Sequence, residues 1–130
     1  MKLTATFEVT NWDEQPYADL AGDTKLTRAA VTRKYSGDLQ GEGTSESLMY
    51  YAADGSATIV GLEHVTGKIG RRSGSFVVES RATFAGNEAK GTWSVVPGSG
   101  ADQLEGLGGK GRFSAKSGPN GKVSLTYELG

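Results

Sequence analysis

The chain has 130 residues, and its 14 lysines and arginines stand against 15 aspartates and glutamates, for a net charge of −1. Such a length predicts one domain that buries roughly two-thirds of its unfolded surface without covalent staples. The absence of cysteine excludes disulfide frameworks and thiolate metal sites and suits a reducing cytoplasm, while the scattered basic residues, with Arg71-Arg72 as the candidate pair, lack the stripe of a nucleic-acid binder.

Glycine is the loudest compositional signal: 20 residues, about twice the usual share of ~7 %. At that density glycine weakens helices by about 1 kcal/mol per interior position. It serves turns, bulges and barrel corners instead. Three prolines and no periodic repeat exclude collagen-like and disordered chains.

Period-two alternation bounded by turn residues predicts eight strands. The first runs from Lys2 to Trp12, with Leu3, Ala5, Phe7 and Val9 alternating against Thr4, Thr6, Glu8 and Thr10. That alternation is not the continuous apolar core of a signal peptide, and no run is long enough to span a bilayer. Gln15-Pro16-Tyr17 is expected to break it. The second strand spans Lys25 to Tyr35 and ends at Ser36-Gly37-Asp38. The third covers Thr44 to Ala53, and Asp54-Gly55 signals a type I′ hairpin.

The fourth strand is read from Ala57 to Ile69, with a corner at Gly70 to Gly74. The fifth is Ser75 to Phe84, followed by Gly86-Asn87 as a second hairpin turn, and the sixth is Ala89 to Val96. The connection from Pro97 to Gly109 holds one expected helical turn, at Ala101 to Leu104. The seventh strand runs from Lys110 to Lys116, Pro119-Asn120-Gly121 forms a turn, and the eighth is Lys122 to Leu129. Short, even connections predict an all-β, antiparallel meander, and eight strands suffice for a barrel that holds side chains or one small ligand. Three segments echo one another: Ser36 to Gly41, Thr66 to Gly70, and Gln103 to Gly108. Each sets an apolar residue among glycines, as a barrel corner would.

No motif specifies a cofactor. The loop Val96-Pro97-Gly98-Ser99-Gly100 lacks the Gly-Lys-Ser/Thr ending of a P-loop and the third glycine of a dinucleotide fingerprint. His64 is the single histidine, too few ligands for zinc, and no nucleophile elbow surrounds Ser73 or Ser75. More informative are charges within apolar strands. Glu63 shares a face with Ile59, Gly61 and Val65; Glu46 shares one with Leu48 and Tyr50; Glu79 shares one with Val77 and Arg81. A carboxylate facing a barrel lumen must be paired, hydrogen-bonded or protonated. Arg71, Arg81 and Tyr50 are the candidate partners. Trp12, Tyr35 and Tyr50 are expected at a cavity rim. The third and fourth strands are apolar on both faces, which predicts a covered outer wall and a homo-oligomer.

The runs Gly61-Leu62-Glu63-His64-Val65-Thr66-Gly67 and Gly70-Arg71-Arg72-Ser73-Gly74-Ser75-Phe76-Val77-Val78 carry a resemblance. With Val96 to Gly100, Leu104 to Gly109, Trp12-Asp13-Glu14 and Ser36 to Gly41, they resemble a family of small bacterial domains of unknown function, placed with the allene-oxide-cyclase-like barrels. The resemblance implies an eight-stranded antiparallel barrel with a central cavity, usually oligomeric. Superfamily relatives include plant allene oxide cyclases and dirigent proteins, which steer cyclisation or coupling by shape. Gly98 to Gly109 is similar to their glycine-rich loop, and Phe7-Glu8-Val9 resembles the first-strand segment of the cyclases.

Two functions follow as expectations. The first is a binding module for a small, partly apolar ligand in the barrel mouth, lined by Trp12, Tyr35, Tyr50, Glu63 and Arg71. The second is a cofactor-independent isomerase or cyclase, with Glu63 as acid-base group, Arg71 as its electrostatic partner and Tyr50 as hydrogen-bond donor. Neither needs a metal, nucleic acid or membrane.

Overall fold

The computed structural model describes residues 1–116 and 120–129. Among these residues there is no helix. The strands are β1 (Lys2–Asp19), β2 (Lys25–Gly37), β3 (Leu39–Tyr51), β4 (Ala57–Ile69), β5 (Arg72–Ala85), β6 (Glu88–Val95), the two-residue β7 (Ala101–Asp102), β8 (Leu107–Lys116) and β9 (Asn120–Leu129). Neighbours run β4-β3-β2-β1-β9-β8-β6-β5, all antiparallel, and β5 pairs back onto β4. Eight strands therefore close into a barrel, in which the two ends of the strand order, β4 and β5, pair with each other instead of standing as open edges. β7 adds a short pairing to Gly74 and Ser75 of β5.

The sequence expectations hold for the strands and fail at several connections. β1 continues through Gln15-Pro16-Tyr17, where a break was expected. Among the described residues its pairing with β9 ends at Glu8, and its register with β2 slips between Pro16 and Ala18. A strand paired on one side and bulged is where proline is tolerated. The Asp54-Gly55 hairpin is not type I′, since Gly55 alone of the two has positive φ. Instead Gly55 N–H donates to Ala52 O, and Ala52 N–H to Ser56 O, closing a three-residue loop. The type I′ geometry lies at Gly86-Asn87, where φ is 59° and 63°. Ala101 to Leu104 closes a hydrogen-bonded turn, Leu104 N–H to Ala101 O at 3.1 Å, but not a helical one, because Ala101 and Asp102 pair with β5 and Asp102 has φ 57°. Of the last hairpin signal, Pro119 lies outside the described residues, while Asn120 and Gly121, expected in the turn, belong to β9 and pair with Glu8 and Phe7 of β1.

The echoing segments share one end of the barrel. Leu39, Ile69 and Leu104 are all buried there, beside Gly37, Gly70 and Gly106, each with positive φ. With Leu3, Phe76, Trp93, Val95, Leu107 and Leu125 they pack that half of the lumen solid. The other half is lined more thinly, by Ala29, Val31 and Met49.

Two outer faces stand out. Leu48, Tyr50, Val60 and Leu62 are exposed together on β3 and β4. On the far side, cations scattered along the chain (Lys2, Lys90, Lys110, Arg112 and Lys122) gather around shallow grooves between β1, β9, β8 and β6.

Close strand approach depends on glycine at one facing pair. Gly41 and Gly67 stand opposite each other on β3 and β4, and a methyl group on either would overlap a carbonyl of the other strand, Thr66 O or Gln40 O. Gly41→Ala is therefore expected to destabilise the fold by about 1–3 kcal/mol in urea unfolding. The outward Thr44→Ala should stay within about 0.5 kcal/mol. Equal effects of the two would refute the overlap.

Candidate functional site

The site begins with a row of small residues. The inward positions of β3 include Gly41, Gly43, Ser45 and Ser47, so long side chains from β2 and β4 can meet across it. Arg33 of β2 stands opposite Gly43, and Glu63 of β4 stands opposite Ser45. The two meet diagonally: Arg33 Nη1 donates to Glu63 Oε1 at 2.9 Å and to Ser45 Oγ at 3.1 Å. The Tyr35 hydroxyl donates to Glu63 Oε2. A side chain at Gly43 would occupy the carboxylate's position.

Glu63 is 3 % exposed and both of its oxygens are engaged. Burial pushes its carboxyl above the usual value of 4.5, against the opposing pull of Arg33 and Tyr35. Tyr35 is pushed well above the usual phenol value by burial and then by the Glu63 charge. Its ring packs between Phe7 and Trp93, with centroids at 6.0 and 5.8 Å. This charged layer divides the packed half of the lumen from the open half.

Above it lies a cavity of about 460 Å³, lined by Phe7, Val9, Val31, Met49, Ile59, Phe113 and smaller residues. Arg33, Ser47 and Ser80 are its polar lining residues on the inner wall, with Lys116 at the rim. Arg33 lies over the Phe7 ring, 5.5 Å from its centroid. Glu63 does not line this cavity; it sits behind Arg33.

A second carboxylate organises the mouth. Glu14 accepts hydrogen bonds from Trp12 Nε1 (3.0 Å), Thr27 Oγ1 (2.7 Å) and Tyr51 Oη (2.6 Å). Burial would raise its pKa, but those bonds and the charge of Lys25 outweigh burial and hold it below 4.5. Tyr51 responds in the opposite sense: burial and then Glu14 push it up to about 12. The Lys25 ammonium sits 5.0 Å from the centre of the Tyr51 ring. Trp12 is thereby fixed at the rim, half-exposed and lining the cavity.

Of the five residues expected at the site, three point into the lumen and two do not. Trp12 is at the rim; Tyr35 and Glu63 are in the charged layer. Tyr50 is on the outer face, because its neighbours Met49 and Tyr51 take the inward positions. Arg71 lies exposed in the β4–β5 turn, at the packed end of the barrel. The partners of Glu63 are thus Arg33 and Tyr35, not Arg71 and Tyr50; Arg81 pairs with Glu79 on the outside. Sequence reading missed Arg33, Ser47, Ser80 and Glu14. The spacing Gly41-x-Gly43-x-Ser45-x-Ser47 was the available sign that something crosses β3.

The chain belongs to the family described as "Protein of unknown function (DUF3224)", whose model matches residues 3–127. It is similar to a protein of unknown function from that family in Shewanella oneidensis MR-1, known from a crystal structure. The two share 30 % identity with a TM-score of 0.81, over 100 % of this chain and 98 % of that one. No curated protein matches the chain.

The two carboxylates should leave opposite marks on stability. The Glu63 pKa is raised on folding, so its contribution is complete below 4.5 and is lost as pH rises through the folded value. The Glu14 pKa is lowered, so its contribution is present above 4.5 and is lost as pH falls through the folded value. Urea unfolding of the wild type, Glu63→Gln and Glu14→Gln at a series of pH values from acid to neutral measures both. Wild-type stability relative to Glu63→Gln should fall with rising pH, and relative to Glu14→Gln it should rise. Slopes of the same sign would contradict these environments.

Proposed function

We propose that this family member is a binding protein that holds a small, largely apolar molecule in the mouth of its barrel. The observation that carries this reading is the cavity: about 460 Å³, walled mainly by aliphatic and aromatic side chains, and bordered by Trp12. Ligand sites commonly have this character, with a few polar groups fixing orientation. The competing class, a cofactor-free isomerase or cyclase, asks for an acid or base open to the substrate. Glu63 has both oxygens engaged and stands behind Arg33, so binding is the better-supported reading.

The partner we infer for the outer face of β3 and β4 is a second copy of the chain. Its centre is apolar, at Leu48, Tyr50, Val60 and Leu62. The Arg28–Glu46 ion pair borders one side and Arg81–Glu79 the other. Each border carries both signs of charge, so a copy turned about a two-fold axis can set unlike charges face to face, and an apolar centre inside a polar rim is the usual interface anatomy.

Two measurements test these readings. A neutral solvatochromic naphthalene dye should bind with blue-shifted emission and quench tryptophan fluorescence. Ala57→Phe, which fills the cavity from β4, should weaken it by at least about tenfold while the protein stays folded. Unchanged dye affinity in that variant would refute the barrel-mouth site. Light scattering should give a multiple of the chain mass, reduced to the single-chain mass by Leu62→Glu. A single-chain mass for the wild type would refute the interface.

A further inference from the structure

The inner wall of the cavity carries hydrogen-bond donors that the protein leaves unanswered. Of the Arg33 guanidinium, Nη1 alone makes hydrogen bonds among the described residues, to Glu63 and Ser45. Its Nε and Nη2 hydrogens remain, on a side chain that lines the cavity and is only 19 % exposed. Ser47 and Ser80 line the same cavity, and neither hydroxyl has a side-chain hydrogen bond among the described residues. They flank Gly61 in register across β3, β4 and β5. A side chain at Gly61 would overlap the Ser47 hydroxyl, so the glycine keeps that hydroxyl in place. The facing wall, at Phe7, Val9 and Phe113, offers only carbon.

Resting on the binding reading above, we propose that the ligand is a neutral molecule with an apolar body and one carbonyl-type oxygen, which accepts from Arg33, with the Ser47 and Ser80 hydroxyls as further donors on the same cavity lining. A polar group sealed in this cavity needs a partner, and an unpaired guanidinium edge is a strong donor. Neutrality follows from Glu63. The Arg33 charge is already balanced at 2.9 Å, so a ligand carboxylate would bury a second anion without a second cation. The other cation lining the cavity, Lys116, is exposed to solvent.

Isothermal titration of the full chain at neutral pH tests this with three matched probes: a phenyl alkyl ketone, the alkylbenzene of the same skeleton and the matching phenylalkanoate. The ketone should bind at least about tenfold tighter than either of the others, the worth of one hydrogen bond to a charged donor. In the double variant Arg33→Met/Glu63→Gln, which removes the ion pair as a unit, the ketone preference should vanish while alkylbenzene binding persists. Ser47→Ala/Ser80→Ala, which leaves the ion pair intact, should reduce the preference severalfold and serves if the first variant does not fold. Equal affinity for ketone and alkylbenzene in the wild type would overturn the acceptor assignment alone. Tighter binding of the carboxylate would overturn the neutrality argument. Failure of all three probes would instead overturn the barrel-mouth binding site itself.

Discussion

The diagonal ion pair between Arg33 and Glu63 is the constraint around which the barrel is arranged. A carboxylate and a guanidinium removed from water each lose several kcal/mol of hydration, which their attraction offsets only with good geometry and further hydrogen bonds. Here Tyr35 answers the second carboxylate oxygen and Ser45 shares the guanidinium hydrogen bonding. Both charges need room, and the inward row of β3 supplies it through Gly43 and Ser45. A bulkier β3 would separate β2 from β4 and leave each charge buried alone, the costly case.

The same layer decides which half of the barrel is solid. Below it, Tyr35 hands over to Trp93 and Phe76 in a chain of tilted and edge-on aromatic contacts, and Leu104 closes the end from the loop before β8. Above it five of the lining positions are alanines, at Ala29, Ala57, Ala82, Ala89 and Ala115, interspersed among larger residues such as Met49, Ile59 and Phe113. Those alanines are too small to reach one another across an eight-stranded lumen, so the upper half stays open. A barrel of this strand number lies at the boundary between filled and hollow. Residue size on each side of the ion pair sets which outcome is realised.

Much of this was legible in sequence because alternation carries it. Glu63 was assigned to one face with Ile59, Gly61 and Val65, and that face is the lumen. Its partners were not legible, because Arg33 belongs to β2, with β3 intervening, and meets Glu63 only through a space where side chains are missing. Sequence patterns report residues that are present; a crossing enabled by Gly43 reports itself as an absence. Tyr50 shows the complementary failure. Met49, Tyr50 and Tyr51 are all apolar enough to face inward, and alternation cannot choose between the two phases when both faces of a strand are hydrophobic. Similarly, Asp54-Gly55 and Gly86-Asn87 are equivalent on paper as tight turns. Only the loop length between paired strands separates a three-residue loop from a two-residue one.

Glu14 explains how an open mouth is kept in shape without a packed core beneath it. Past Glu8, β1 pairs among the described residues with β2 alone, and Asn11 to Asp19 would otherwise be held there by backbone bonds on one side. The Glu14 carboxylate ties that tail to Thr27 on β2 and Tyr51 on β3, and holds Trp12 two residues away. Three donors stabilise its charged form, which is why its pKa falls although burial alone would raise it. Glu63 has two donor residues and deeper burial, and there burial wins. The two carboxylates thus follow one rule with opposite outcomes: hydrogen bonds dominate where water is near, and desolvation dominates where it is excluded. That difference suits their positions, since the rim must hold its shape beside solvent while the charged layer lies between the packed half of the lumen and the open one.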